Sequence, residues 1–179
     1  MTTALPANEV AARLCAACGM CCNGVMFHGI RLQPSDSARE LALLGLKAKR
    51  RQAGLIVLQP CVAHRGNCCA IYEGRPTRCR EFVCRQLIAV ARCEASEEEA
   101  SAKIFEAHAL TDRVLRLIRE AGDDREHKSL ATRCDSVLAP PFDQASEAAR
   151  RREDLRAAMV KLEAFLVRDF RVEEPVPSV

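Results

Sequence analysis

Nine of the eleven cysteines stand between positions 15 and 84: Cys15, Cys18, Cys21, Cys22, Cys61, Cys68, Cys69, Cys79 and Cys84. Cys93 and Cys134 lie beyond them. No other feature constrains the fold as strongly. Cysteines of an ordinary core would be scattered, and an odd number cannot all pair within one chain. The opening stretch MTTALPANEVAAR has neither the basic nor the apolar region of a secretory signal. The expected compartment is therefore the cytosol, where thiols are kept reduced. A dense cluster of reduced thiols needs a partner, and a metal is the obvious one. Size alone does not call for one, because a chain of 179 residues can bury roughly 70% of its unfolded surface.

The spacing divides the cysteines into two groups. The first is Cys15-x2-Cys18-x2-Cys21-Cys22. A C-x-x-C step makes a tight loop whose sulfurs can meet at one ion, and C-x2-C-x2-C is also how ferredoxin-type chains present three ligands to a cluster. Neighbouring side chains point apart, so Cys21 and Cys22 serve two sites, or two irons of one cluster. The second group is Cys61-x7-Cys69-x9-Cys79-x4-Cys84, which fits a hairpin followed by a helix. Eight candidate thiolates are enough for two four-ligand sites, or for one cluster with spare ligands. All-sulfur ligation suits zinc and iron–sulfur clusters alike and excludes magnesium and calcium.

Charge follows the same division. Residues 1–90 carry 12 Lys and Arg against 5 Asp and Glu, and residues 91–179 carry 15 against 19. Nearby Arg favours thiolates and offsets the negative charge of a four-thiolate site. Arg75, Arg78, Arg80 and Arg85 are candidates for that role.

The expected architecture is mainly α. A small cysteine-rich α+β metal-binding module (1–93) is followed by a helical part (94–179) packed on it, the two forming one structural domain. Val25–Leu32 reads as extended, and Pro34-Ser35-Asp36 opens a short helix through Leu44 with Gly45 at its end. Leu55–Leu58 reads as a strand that pairs with Ala70-Ile71-Tyr72 across His64-Arg65-Gly66-Asn67. A helix carries Cys79 to Cys93. Ser96 and Glu99 form a capping box for a long helix with Ile104, Phe105, Val114, Leu115 and Ile118 on its apolar side, ending at Gly122. Residues 123–141 read as a polar linker closing in Pro140-Pro141. Asp143 or Ser146 then caps a second long helix with Leu155, Met159, Leu162 and Leu166 at spacings of 4, 3 and 4. The tail from Glu173 is expected to fray. Cys93 and Cys134 read as small buried hydrophobes. His64 reads as a turn residue in contact with solvent, His28 as structural, and His108 and His127 as surface or helix-packing residues. Tyr72 is expected under the hairpin.

Several classes are excluded or disfavoured. No apolar stretch approaches the ~20 residues of a membrane span. There is no phosphate-binding glycine loop and no nucleophile elbow. Aromatic residues are 4% with no Trp, which argues against base-stacking platforms for nucleic acid.

The run Cys15-Ala-Ala-Cys18-Gly-Met-Cys21-Cys22, then Cys61, then Cys69-Ala-Ile-Tyr-Glu-Gly-Arg-Pro-Thr-Arg-Cys79-Arg-Glu-Phe-Val-Cys84, resembles the YkgJ-type CxxCxxCC cysteine-cluster family. That family is described as zinc- or iron-chelating and is often labelled an Fe–S-cluster family. The resemblance spans about residues 15–84. It implies Cys15, Cys18, Cys21, Cys22, Cys61, Cys69, Cys79 and Cys84 as ligands, with Tyr72, Arg75, Pro76, Arg80 and Phe82 as framework. Cys68 is extra to the pattern, and the choice between Cys68 and Cys69 stays open. The expected function is a cytosolic metal-binding protein, with an iron–sulfur cluster preferred to zinc. One alternative is a protein-modifying enzyme resembling flagellin lysine N-methylases. Another is a zinc-stabilised adaptor for nucleic acid or protein.

Overall fold

The computed structural model describes residues 6–52, 54–139 and 147–172. In chain order the elements are α1 (Pro6–Cys18), β1 (Gly29–Arg31), α2 (Ala38–Leu43), β2 (Ala48–Arg51), β3 (Gly54–Leu58), β4 (His64–Arg65), β5 (Cys68–Cys69), a 3-10 turn (Tyr72–Gly74), α3 (Thr77–Glu81), α4 (Arg85–Ala91), α5 (Glu97–Glu120), α6 (Leu130–Leu138) and α7 (Glu147–Asp169). The protein is thus mainly α with a small α+β region. The expected caps at Asp143 and Ser146, the Pro140-Pro141 close and the tail from Glu173 lie outside the described residues.

Local chemistry sets the longest helix. The Ser96 side chain accepts from the Glu99 N–H at 3.1 Å, and the Glu99 carboxylate accepts from the Ser96 N–H at 2.7 Å. The pair satisfies two N–H groups that the first turn would otherwise leave bare. Glu97, Glu98 and Glu99 also stand at the positive end of the helix dipole. Ile104, Val114 and Ile118 turn inward and meet Leu155, Leu162, Leu166 and Phe170 of α7 and its end. Each such side chain, fully buried, stabilises the fold by about 1.5–3 kcal/mol. Phe105 was expected on this face but is 77% exposed. It sits one position past Ile104, about 100° around the helix, and so off the apolar stripe.

The same core takes Leu14 of α1 and Met20, Val25 and Met26 of the loop that follows. The hydrophobic core therefore crosses the 93/94 boundary. Gln86 Nε2 donates to the Asp169 carbonyl at 2.6 Å, and the Arg85 N–H donates to the Phe170 carbonyl at 3.0 Å, fastening α4 to the end of α7.

A second, smaller core of Leu41, Leu46, Val57 and Ala63 lies under a three-stranded antiparallel sheet of order β1-β3-β2. Several sequence readings are corrected here. Strand β3 pairs with β1 and β2, not with residues 70–72. The hairpin is β4 with β5, in the register His64↔Cys69 and Arg65↔Cys68, and Tyr72 opens a 3-10 turn. Only Gly29–Arg31 of the expected extended run is strand. The short helix starts at Ala38 behind an Ser37 cap, because Asp36 is engaged elsewhere.

The described part of the expected linker, residues 123–139, is not one. Helix α6 lies within them, capped by Ser129, with Leu130, Arg133 and Cys134 buried. Arg133 Nε donates to Asp123 Oδ1 at 3.0 Å, and both side chains are at most 5% exposed. This ion pair allows charged residues to occupy core positions, which is why the segment reads as polar.

Candidate metal centre

Cys15 and Cys18 occupy the last turn of α1, not a loop. An i, i+3 pair shares a helix face, and the alanine-rich stretch before it favours the helix. Gly19 ends the turn at φ +64, its N–H donating to the Cys15 carbonyl at 3.0 Å. A Cβ on Gly19 would stand 2.5 Å from Asn67 Oδ1 and 3.2 Å from His64 Nε2, so the hairpin tip packs directly on this turn. The chain then coils through Cys21 and Cys22, with the Cys22 N–H donating to the Gly19 carbonyl at 3.0 Å.

The second block arrives on separate elements. The Cys61 N–H donates to the Cys22 carbonyl at 2.8 Å. Cys69 sits on β5. Cys79 rides on α3, whose first N–H groups lack a cap from its own Pro76. Asp36 supplies one from 41 positions away: its Oδ1 accepts from the Thr77 N–H and from Thr77 Oγ1, both at 2.8 Å. Burial pushes the Asp36 carboxyl up, but the hydrogen bonds from Thr77 and Gln33 and the charge of Arg80 outweigh it, so the group is held below its ordinary value.

No single helix carries Cys79 to Cys93. Phe82 ends α3 in extended backbone (ψ 123), and its ring packs edge-on to Phe27 with centroids 5.1 Å apart. Cys84 then stands at the N-cap of α4. Cys93 is exposed, at φ +57, where a buried position was expected. Cys134 is buried, as expected.

None of the eleven cysteines is in a disulfide. The eight candidates converge electrostatically. Burial pushes Cys18 up to about 12, with the charges of Cys84, Cys15 and Cys22 adding to it. Burial likewise pushes Cys79 up to about 12, helped by Cys22, Cys61 and Cys69. Cys22 is raised to about 11 by burial, then by Cys61 and Cys69, with Arg75 pulling it back. Cys21 is driven well up by burial and by Cys18, Cys84, Cys22 and Cys15. Cys84 is raised by burial against hydrogen bonds from the Leu87 and Gln86 backbone. Cys68 is exposed, whereas Cys69 is half-buried and its charge bears on Cys22, Cys61 and Cys79. The thiols are gathered without forming a ready-made ion site: among the described residues, no three His, Cys, Asp or Glu side chains could hold an ion as they stand.

The surroundings differ from expectation at two residues. Tyr72 is 59% exposed and carries the Arg75 guanidinium 3.6 Å from its ring centroid. Arg75 Nε also donates to the Tyr72 carbonyl at 2.8 Å, and its charge favours the thiolates of Cys15, Cys22 and Cys79. His64 lies on β4 with Nε2 buried and no hydrogen-bond partner among the described residues, not in open solvent contact. His108 Nε2 stands 2.8 Å from the Cys18 carbonyl, tying α5 to the end of α1. A groove of about 350 Å³ opens beside Cys18 between Asn67, His108 and Lys128.

Soft, oxygen-free sulfur side chains gathered from five segments define a cysteine-rich module. A family model described as "CxxCxxCC: Putative zinc- or iron-chelating domain" matches residues 14–135, more than half of the chain, and the chain belongs to this family. Comparison with the curated proteins and with the solved structures gave no match. Among the described residues, no helix is long and apolar enough to cross a membrane.

Proposed function

We propose that this is a cytosolic metal-binding protein that holds an iron–sulfur cluster or zinc through Cys15, Cys18, Cys21, Cys22, Cys61, Cys69, Cys79 and Cys84. The observation that supports the reading is the gathering of these eight unpaired thiols, among which Cys15, Cys18, Cys22, Cys61, Cys69 and Cys84 raise their neighbours' cost of ionisation. A soft cation reverses that cost, because every thiolate it binds is stabilised. The donor set therefore fits zinc and iron–sulfur chemistry. The C-x2-C-x2-C run favours iron–sulfur. When bound, the metal centre supplies folding energy to the 1–93 module. The helical part, 94–179, buttresses that module within one structural unit.

The test is anaerobic purification of the full chain with iron, acid-labile sulfide and zinc counted per chain. Iron with sulfide and broad visible absorbance supports the cluster. Stoichiometric zinc without colour supports the zinc form. A chain free of both, and unable to take up either, defeats the reading.

A further inference from the structure

The eight thiols belong to two different cores. Cys18, Cys21 and Cys84 pack against the helical core of α1, α5 and α7. Cys61 packs against the small core under the sheet. Cys15 joins the first three through its place one turn before Cys18 on α1. Cys22 is drawn to the second side by the hydrogen bond from the Cys61 N–H to its carbonyl. Cys69 lies opposite His64 in the hairpin that grows from Cys61. Cys79 follows on α3, held to the sheet side through Asp36.

The mutual repulsions fall the same way. Cys15 and Cys84 bear on Cys18 and Cys21, and Cys61 and Cys69 bear on Cys22 and Cys79. The leading interactions that cross between the sets all involve Cys22. That residue stands at the seam because it is bonded to Cys21.

We infer that the chain holds two four-thiolate sites whose ligands interleave in sequence: Cys15, Cys18, Cys21 and Cys84 for one soft cation, and Cys22, Cys61, Cys69 and Cys79 for the other. The inference rests on the metal-binding reading above and extends it. The last cysteine of the second block completes the first site, and the last cysteine of the first block completes the second. Each site thus clamps the two blocks together, and the adjacent Cys21 and Cys22 point to different ions. Each quartet closes onto its ion from the gathered arrangement described above, since tetrahedral thiolate sites need zinc–sulfur distances of about 2.3 Å.

The experiment uses the metal-stripped full chain with Zn(II) as probe and counts ions by native mass spectrometry. Two ions per chain are expected, falling to one in Cys84→Ser and to one in Cys79→Ser. Iodoacetamide mapping of the same samples adds a readout on residue identity. In Cys84→Ser, Cys15, Cys18 and Cys21 should be alkylated while Cys61, Cys69 and Cys79 stay protected, and Cys79→Ser should give the reverse. Mapping the wild type loaded with a single equivalent serves if a variant does not fold: protection of one whole quartet supports the division. One ion per wild-type chain, or protection that mixes the quartets, overturns the division and leaves metal binding standing. A chain that takes up no Zn(II), and holds no iron as purified, overturns both.

Discussion

The Cys61 N–H donates to the Cys22 carbonyl at 2.8 Å, across 39 positions of sequence. This contact ties the Cys22 backbone to the residue that leads into the hairpin, while Cys21 packs against the helical core. The two residues are consecutive, yet in the proposed division their side chains serve different ions. Replacing Cys22 with Ser is therefore expected to lower metal content and to destabilise the loaded chain by about 4 kcal/mol or more, the range reached when a bound metal is lost. Replacing the exposed Cys68 with Ser should leave metal content unchanged and stability within about 0.5 kcal/mol. Metal analysis with urea unfolding of both variants checks the pair. Equal metal loss in the two would show that Cys68 ligates.

Gly19 is needed twice over, for its φ of +64 and for the 2.5 Å approach of Asn67 Oδ1 to the place a Cβ would take. Gly19→Ala is expected to cost more than the roughly 1–2 kcal/mol of a left-handed alanine. Gly45→Ala serves as the comparison, since Gly45 has φ +88 and nothing within 4 Å of its Cβ position; it should carry the backbone penalty alone. Adding Asn67→Gly to Gly19→Ala should recover the difference. Urea midpoints of the four chains measure it, and equal costs for the two alanine variants would refute the packing argument.

What the sequence reveals depends on how local each cause is. The capping box at Ser96 and Glu99 is written in four consecutive residues, and the α7 stripe at Leu155, Leu162 and Leu166 in one periodicity. Both are legible. Helix α6 is not, because its buried Arg133 is paired with Asp123 of a different segment and so masks the amphipathic pattern. Strand β2 reads as a basic tract, since Lys49, Arg50 and Arg51 are exposed on an edge and only pairing with β3 makes them strand. The two cysteine blocks are legible as a group of unpaired thiols that the fold gathers. Their division is not, because it depends on the Cys22–Cys61 hydrogen bond and on which core each thiol faces.

Asp123 should make the protein sensitive to acid. Burial pushes its carboxyl up, but hydrogen bonds from the Arg125 side chain and backbone and from Arg133, with the Arg125 charge, outweigh burial and hold it below the ordinary range. A depressed carboxyl contributes stability that is full above its unfolded value, about 3.9, and is lost as pH falls through the folded value. Asp123→Asn should cost roughly 3–5 kcal/mol at neutral pH, because Arg133 stays buried without its counter-charge. The gap between wild type and variant should narrow on acidification below about pH 4. Denaturation at a series of pH values tests this, and a gap independent of pH would rule it out.

The raised thiols predict an alkaline limit for the metal-free chain. Cys18 and Cys79 go from an ordinary 9.0 to about 12. The folded form therefore keeps protons that the unfolded form sheds, and stability present below pH 9 should fall as pH rises toward 12. In the metal-loaded chain the ligand thiolates are already formed, so this component should vanish. Thermal melts of both forms across this window compare them, and parallel losses would show that other groups are responsible.

Arg75 links the electrostatics of both quartets to one stacked side chain. Its charge lowers Cys15, Cys22 and Cys79, and it is held by the Tyr72 ring and carbonyl. Removing a nearby cation raises thiol pKa values, so more alkaline conditions are then needed to exchange protons for metal. Arg75→Ala should move the pH of half-maximal Zn(II) loading upward. Arg75→Lys should move it less, since the charge remains but the planar fork that stacks on Tyr72 is lost. Tyr72→Phe keeps a ring and the carbonyl, and should leave the midpoint near that of the wild type. Loading curves followed by released protons would separate the cases. A midpoint unchanged in Arg75→Ala would mean that the sulfurs are tuned by burial and by one another, without help from this cation.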